Sequence, residues 1–307
     1  MNVTFRRIPN IPIGVLPTLF TLGNLVCGFS AIVIASRVGK PLSADVPLDQ
    51  LLVDFRNVQI AGWLIFAAMV FDALDGHVAR LTNAASDFGA QLDSLCDVVS
   101  FGVAPGYLLV KMCPDFAMEH YRMVWMIAAL IACCAAMRLA RFNVELDAEE
   151  ARIAGEAKQT ELSGTSDDTT VREVDHSTFS GLPSPAAAGS IAGFAIIFHS
   201  VLCAFGTQEN HWGLRCFEIA QIILPFYGIL VAVLMVSRLQ YPHVVNRLFS
   251  GRRRFRDVVR VMLLLFLLLL FRNYAIPLAF FLFAISGPVR YLCQWAWYRK
   301  LPDEDIF

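Results

Sequence analysis

The sequence predicts an all-α, polytopic integral membrane bundle of about eight helical spans, with a six-span core as the alternative. Three observations carry that prediction. Of the 307 residues 57% are hydrophobic and the mean hydropathy is +0.57, too apolar for a water-soluble domain of this length. The apolar residues gather in runs near 13–36, 58–80, 91–112, 122–141, 181–205, 216–237, 257–272 and 274–298. Most of these are close to the roughly 20 residues that cross a bilayer. Between the runs the chain turns polar, and its Arg and Lys fall unevenly on alternate loops.

Taken in order, the first run is too long for the apolar core of a cleavable signal and lacks an A-x-A exit, so it reads as a retained span. It carries a small and polar stripe, Thr18, Thr21, Asn24 and Gly28, suited to hydrogen bonds between helices. The second run ends, and the third begins, in aspartates. The fourth shows a ridge of Ala132, Ala136 and Ala140 and closes on Arg138, Arg141 and Asn143, where cations suit both topology and the helix dipole. Pro183 and Pro185 fit the first turn of the fifth, with Ser184 as cap or ligand. Gly189 and Gly193 then make a G-x-x-x-G step, which with the alanine ridge marks close helix packing and a candidate contact for a homodimer. The seventh run is short and holds Arg260, so it either relies on snorkelling or forms a re-entrant hairpin with the eighth. The count stays even in both cases.

If the amino terminus is cytoplasmic, only Arg37, Lys40, Arg56, Lys111, Arg122, Arg215 and Arg272 of the 25 Arg and Lys face the far side. Both termini and the aspartates then face the cytoplasm. The expected organisation is a short segment 1–12, catalytic spans over 13–141, an acidic cytoplasmic loop 142–180, further spans over 181–298 and a tail 299–307. Residues 145–175 hold ten acids against Arg152, Lys158 and Arg172; 145–158 is rich in helix formers and extends the fourth span into water, whereas 163–170 has turn composition. The basic run 251-GRRRFR-256 attracts anionic membrane lipids. Eight cysteines without C-x-x-C spacing give neither a disulfide framework nor a zinc site, and no motif calls for nucleic acid.

The chemistry lies in 72-DALDGHVARLTNAASDFGAQLDSLCD-97. Asp72 and Asp75 are three apart and Asp93 and Asp97 four apart, so each pair projects from one helix face. Charges at membrane depth are costly and mark function, and an oxygen-only cage favours hard divalent ions such as Mg²⁺ or Mn²⁺. Gly76 and Ala79 leave the first face bare, Arg80 offers a planar fork for phosphate, and Gly89 removes bulk one turn before Asp93. Cage, shelf and cation describe a diphosphate site. A relay of titratable groups in an ion-coupled transporter is the rival from another class, although it has no need of Gly, Ala and Arg at these offsets.

The spacing D-x-x-D-G-x-x-A-R, eight residues, then G-x-x-x-D-x-x-x-D resembles the signature of the CDP-alcohol phosphatidyltransferases, with every fixed position filled. Five further segments resemble the membrane-type phosphatidylserine synthases of bacteria and archaea: 17-PTLFTLGNLVCGFSAI-32, 100-SFGVAP-105, 138-RLARFNV-144, 179-FSGLPSPAAAG-189 and 236-VSRLQYP-242. The resemblance implies a plasma-membrane enzyme that moves a phosphatidyl group from CDP-diacylglycerol to L-serine and releases CMP. It implies two divalent ions on Asp72, Asp75, Asp93 and Asp97, and Asp97 as the base, a choice over Asp93 that spacing alone does not make. It further implies a CDP-lipid pocket of Asn24, Thr21, Asp72, Gly76, Ala79, Arg80 and Gly89. Serine adds a carboxylate that needs a cation or helix-start donors, for which Arg138, Arg141, Asn143 and Ser184 are the candidates. Ser100, on the Asp93/Asp97 face, is a neighbour of either substrate. Glycerol phosphate or inositol phosphate is the alternative acceptor, and each would call for additional cations.

Overall fold

The computed structural model describes residues 15–38, 48–82, 87–113, 119–163, 178–205, 212–242 and 272–298. Helix α1 (Val15–Ser36) packs along α2 (Leu48–Thr82), and the third span is built from α3 (Asp87–Asp97), a π-helical turn (Val98–Val103) and α4 (Ala104–Met112). Then come α5 (Tyr121–Ser163), strand β1 (Thr178–Ser180), α6 (Ser184–Phe205), α7 (Trp212–Val236), strand β2 (Gln240–Pro242) and α8 (Arg272–Tyr298). Among the described residues seven segments are long and apolar enough to cross a membrane, and the chain is an integral membrane protein. Apart from Arg272, the expected seventh run lies outside the described residues, as does the basic run 251–256.

Lipid gives helices no hydrophobic reason to associate, so the packing relies on small residues that let backbones approach. A Cβ on Gly106 would stand 2.8 Å from the Ala128 carbonyl oxygen, and one on Gly102 would stand 3.0 Å from Ala135 Cβ, which seats the third span on α5. Ala186, Ala187, Ala188, Ala192 and Ala195 are all buried on α6 at the centre of the bundle. The G-x-x-x-G step is used inside the chain. Gly189 receives the ring of Phe280 and Gly193 the ring of Pro277, so α8 runs antiparallel to α6 and covers both glycines. Apolar residues turned outward, such as Leu19, Val26 and Phe29 on α1, fit a surface that meets acyl chains.

Two features of the helices and their connections bear on the site. α5 runs unbroken for 43 residues, so the helix formers of 145–158 do prolong the fourth span. The segment entering α6 is tied down by an antiparallel β1–β2 ladder that pairs Phe179 with Tyr241, a connection between distant residues that no alternating pattern signals. Gly181, at φ 84°, turns the chain from β1 into α6, and its amide donates to the Leu239 carbonyl at 2.8 Å. Burial pushes the Tyr241 phenol up to about 12, so it remains a donor, and it bonds the Ala284 carbonyl at 3.1 Å.

Gly181→Ala is expected to destabilise the fold. Its Cβ would come within 2.6 Å of the Met235 carbonyl oxygen in a backbone conformation that costs an L-residue about 1–3 kcal/mol. Melting in detergent should fall clearly below that of Gly76→Ala, whose Cβ meets nothing within 4 Å. Equal melting temperatures would contradict this account of the turn.

Candidate active site

The aspartates converge because α2 ends and α3 begins at the same end of the bundle. Phe71 lies against Gly23 of α1, where a Cβ would stand 2.9 Å from its ring, and this contact fixes the rotation of α2 beside Asp72. One oxygen each from Asp72, Asp75 and Asp93 falls within 4.8 Å of the others. That is close to the span of an octahedral shell of oxygens around a hard cation at about 2.1 Å. Asp75 is 5% exposed, and Asp75 Oδ2 and Asp93 Oδ1 are buried without a hydrogen-bond partner among the described residues. Unpaired carboxylate oxygens shielded from water are costly, and a divalent cation satisfies both oxygens and charge together. The donor set therefore fits Mg²⁺ or Mn²⁺.

Asp97 stands apart from this triad. It is 7% exposed, and its Oδ1 accepts a 2.9 Å hydrogen bond from Asn24 Nδ2 of α1. It is still within electrostatic range of Asp72, Asp93 and Asp75, so the four carboxylates form one charged pocket. Thr21 is buried, bonds the Pro17 carbonyl at 3.2 Å and reaches the Asp75 carboxylate. Gly76 is open on its Cβ side, as a bare shelf requires, and Gly89 sits in the first turn of α3. Ala79 and Arg80 continue α2, but their side chains lie outside what the structure describes.

Ser100 is not a substrate neighbour. The expectation assumed a regular α-helix through 93, 97 and 100, whereas the π-helical turn after Asp97 adds a residue to the helical repeat and turns Ser100 toward α1. There it is fully buried and donates to the Asn24 carbonyl at 3.1 Å, with Gly28 against it.

The four candidates for the serine carboxylate separate. Arg138 Nη1 donates to Ser184 Oγ at 3.0 Å, joining the end of the fourth span to the start of α6. Its Nε is buried and without a partner among the described residues, and its charge reaches Asp97. Arg141 turns along its own helix to Glu145 at 3.0 Å, a half-exposed i,i+4 pair. Asn143 donates to Ser94 Oγ at 2.9 Å and fastens α5 to α3. Of the four, Arg138 and Ser184 alone are joined to each other beside the aspartates, while Arg141 and Asn143 are engaged elsewhere.

Known proteins are similar to this chain in sequence. The family model for CDP-alcohol phosphatidyltransferase covers residues 14–222, which takes in the aspartates, Asn24, Arg138 and Ser184. A CDP-diacylglycerol–serine O-phosphatidyltransferase of Methanocaldococcus jannaschii is 34% identical over 61% of this chain, and the match spans 65% of that relative. The Helicobacter pylori (strain 26695) protein of the same name is 29% identical over 93% of this chain and 94% of its own. An archaetidylserine synthase of Methanothermobacter thermautotrophicus is 31% identical over 75% and 70% respectively. Carboxylate cage, open shelf and a family match across two thirds of the sequence point the same way: the chain belongs to the CDP-alcohol phosphatidyltransferase family and is a transferase, not an ion-coupled transporter.

Proposed function

We propose that this enzyme transfers the phosphatidyl group of CDP-diacylglycerol to L-serine, yielding phosphatidylserine and CMP. The observation that carries the acceptor is Arg138, whose guanidinium is held by Ser184 next to Asp97, with a buried Nε unpaired among the described residues. A planar cation with an open donor suits a carboxylate, which serine has and a neutral alcohol lacks. The names of the relatives from M. jannaschii and H. pylori support the same acceptor.

Asp72, Asp75 and Asp93 would hold the divalent cation, with Asp97 beside them as base. Bound there, Mg²⁺ or Mn²⁺ supplies neutralisation of the diphosphate and of the departing CMP phosphate. Gly76 leaves room for the diphosphate, and Arg80 provides its fork. The serine hydroxyl oxygen attacks the lipid-linked phosphorus in line, the bond from that phosphorus to the CMP oxygen breaks, and Asp97 takes the hydroxyl proton. Arg138 orients serine by its carboxylate so that the hydroxyl points at phosphorus. An apolar groove of about 720 Å³ between α2 and α8, lined by Trp63, Phe66, Val70, Leu74 and Phe280 and ending at His77, gives an acyl chain a path beside the site. The aspartates and both termini face the cytoplasm in this reading, where the polar substrates are.

The test is CMP release by purified protein supplied with CDP-diacylglycerol and a panel of acceptors. Serine should turn over, and serinol and ethanolamine should be poor, because a site built for a charged group is left unpaired without it. Arg138→Lys should raise the KM for serine by about tenfold or more while leaving the KM for CDP-diacylglycerol nearly unchanged. Efficient turnover of glycerol phosphate with none of serine would overturn the acceptor.

A further inference from the structure

We propose that Asn24 is the positioning residue of Asp97: its side-chain amide holds one carboxylate oxygen of Asp97 away from the Asp72/Asp75/Asp93 cluster and leaves the other to face the acceptor hydroxyl. The inference rests on the reading of Asp97 as base and replaces the expected role of Asn24 as a contact to the CDP-lipid.

Asn24 is fully buried, so its amide must be satisfied from inside the protein. Its orientation is set by chemistry, since an ionised carboxylate only accepts and Nδ2 is therefore the atom that meets Asp97 Oδ1 at 2.9 Å. The residue is gripped a second time through its backbone, where the Asn24 carbonyl accepts from Ser100 Oγ at 3.1 Å. Asp97 and Ser100 flank the start of the π-helical turn, so one short stretch of the third span holds Asn24 by main chain and side chain together. Gly28, one turn along α1, makes the approach possible because a Cβ there would collide with Ser100. Two grips on a residue 73 positions from its partner build a register, not an incidental contact.

The division of labour among the aspartates follows. Asp72, Asp75 and Asp93 bring an oxygen each into one compact set, and Asp97, held by Asn24, contributes none to it. Asn24 Oδ1 is buried without a partner among the described residues. Nδ2 is thus the side-chain atom of Asn24 that has a partner among the described residues, and that partner is Asp97. Asn24 thus acts on the rate through Asp97 and does not act through affinity for the lipid nucleotide.

The experiment compares wild type, Asn24→Ala and Ser100→Ala in three readouts: kcat for CMP release, the KM for CDP-diacylglycerol, and Mn²⁺ affinity by electron paramagnetic resonance. A positioned base contributes about 10²–10⁴-fold, so Asn24→Ala should lower kcat by roughly 10–100-fold. The KM for CDP-diacylglycerol should stay within about twofold and the Mn²⁺ affinity should not change. Ser100→Ala, which loosens the backbone grip alone, should lower kcat less and in the same pattern. It decides the matter if Asn24→Ala does not fold. A raised KM with wild-type kcat in Asn24→Ala would make Asn24 a substrate contact, and weaker Mn²⁺ binding would make it a support of the metal cluster. Either result overturns the proposal, as does wild-type kcat in Ser100→Ala should it have to stand in for Asn24→Ala. Failure of the acceptor reading appears separately, as wild-type protein that releases no CMP with serine.

Discussion

Changing Asp72, Asp75 or Asp93 to Asn is expected to reduce CMP release by about 10³-fold or more, because metal stabilisation of transition-state charge is worth several kcal/mol. Each substitution keeps the shape and removes a charge from a set whose oxygens lie within 4.8 Å of one another. The remaining carboxylates then bind a divalent cation more weakly, so Mn²⁺ affinity and turnover should fall together. EDTA should abolish wild-type activity, and added Mg²⁺ or Mn²⁺ should restore it. Full turnover in EDTA, or in any two of the three variants, would remove the metal from the account.

Asp97→Asn should behave differently, although its loss of rate is of similar order. As the proton acceptor it contributes about 10²–10⁴-fold to turnover, and an amide cannot take its place. Its Oδ1 already belongs to Asn24 and none of its oxygens joins the compact triad, so Mn²⁺ affinity should change far less than in Asp93→Asn. Binding of CDP-diacylglycerol should persist, leaving a protein that holds lipid and cation yet barely turns over. Near-wild-type kcat in Asp97→Asn would move the base elsewhere, with Asp93 the first alternative.

Much of this was legible in the sequence for a physical reason. Charges in a membrane span are so unfavourable that Asp72, Asp75, Asp93 and Asp97 announce a site, and the glycine and alanine between them announce the bulk it must admit. Spans announce themselves by composition in the same way. What stayed hidden depends on contacts between distant residues. The π-helical turn at Val98–Val103 has no compositional signature, so a regular helical count put Ser100 on the substrate face when it is turned into α1. The β1–β2 ladder is three residues long on each side and was invisible to any periodicity. Spacing likewise offered Arg138, Arg141 and Asn143 as equals, and only the entry of α6 beside α5 separates Arg138, which meets Ser184, from Arg141, which meets Glu145. The second helix begins at Leu48, ten residues before its apolar run, because 48-LDQLLVDFRN-57 mixes charges into a helix whose Phe55 and Val58 are nonetheless buried.

The measurement that bears most directly on the central claim is the stoichiometry of products from purified protein given CDP-diacylglycerol, labelled L-serine and Mn²⁺. One CMP should appear for each labelled phosphatidylserine in the wild type, with both products lost together in Asp93→Asn and Asp97→Asn. CMP released without labelled lipid, or labelled lipid formed by the aspartate variants at the wild-type rate, would contradict it.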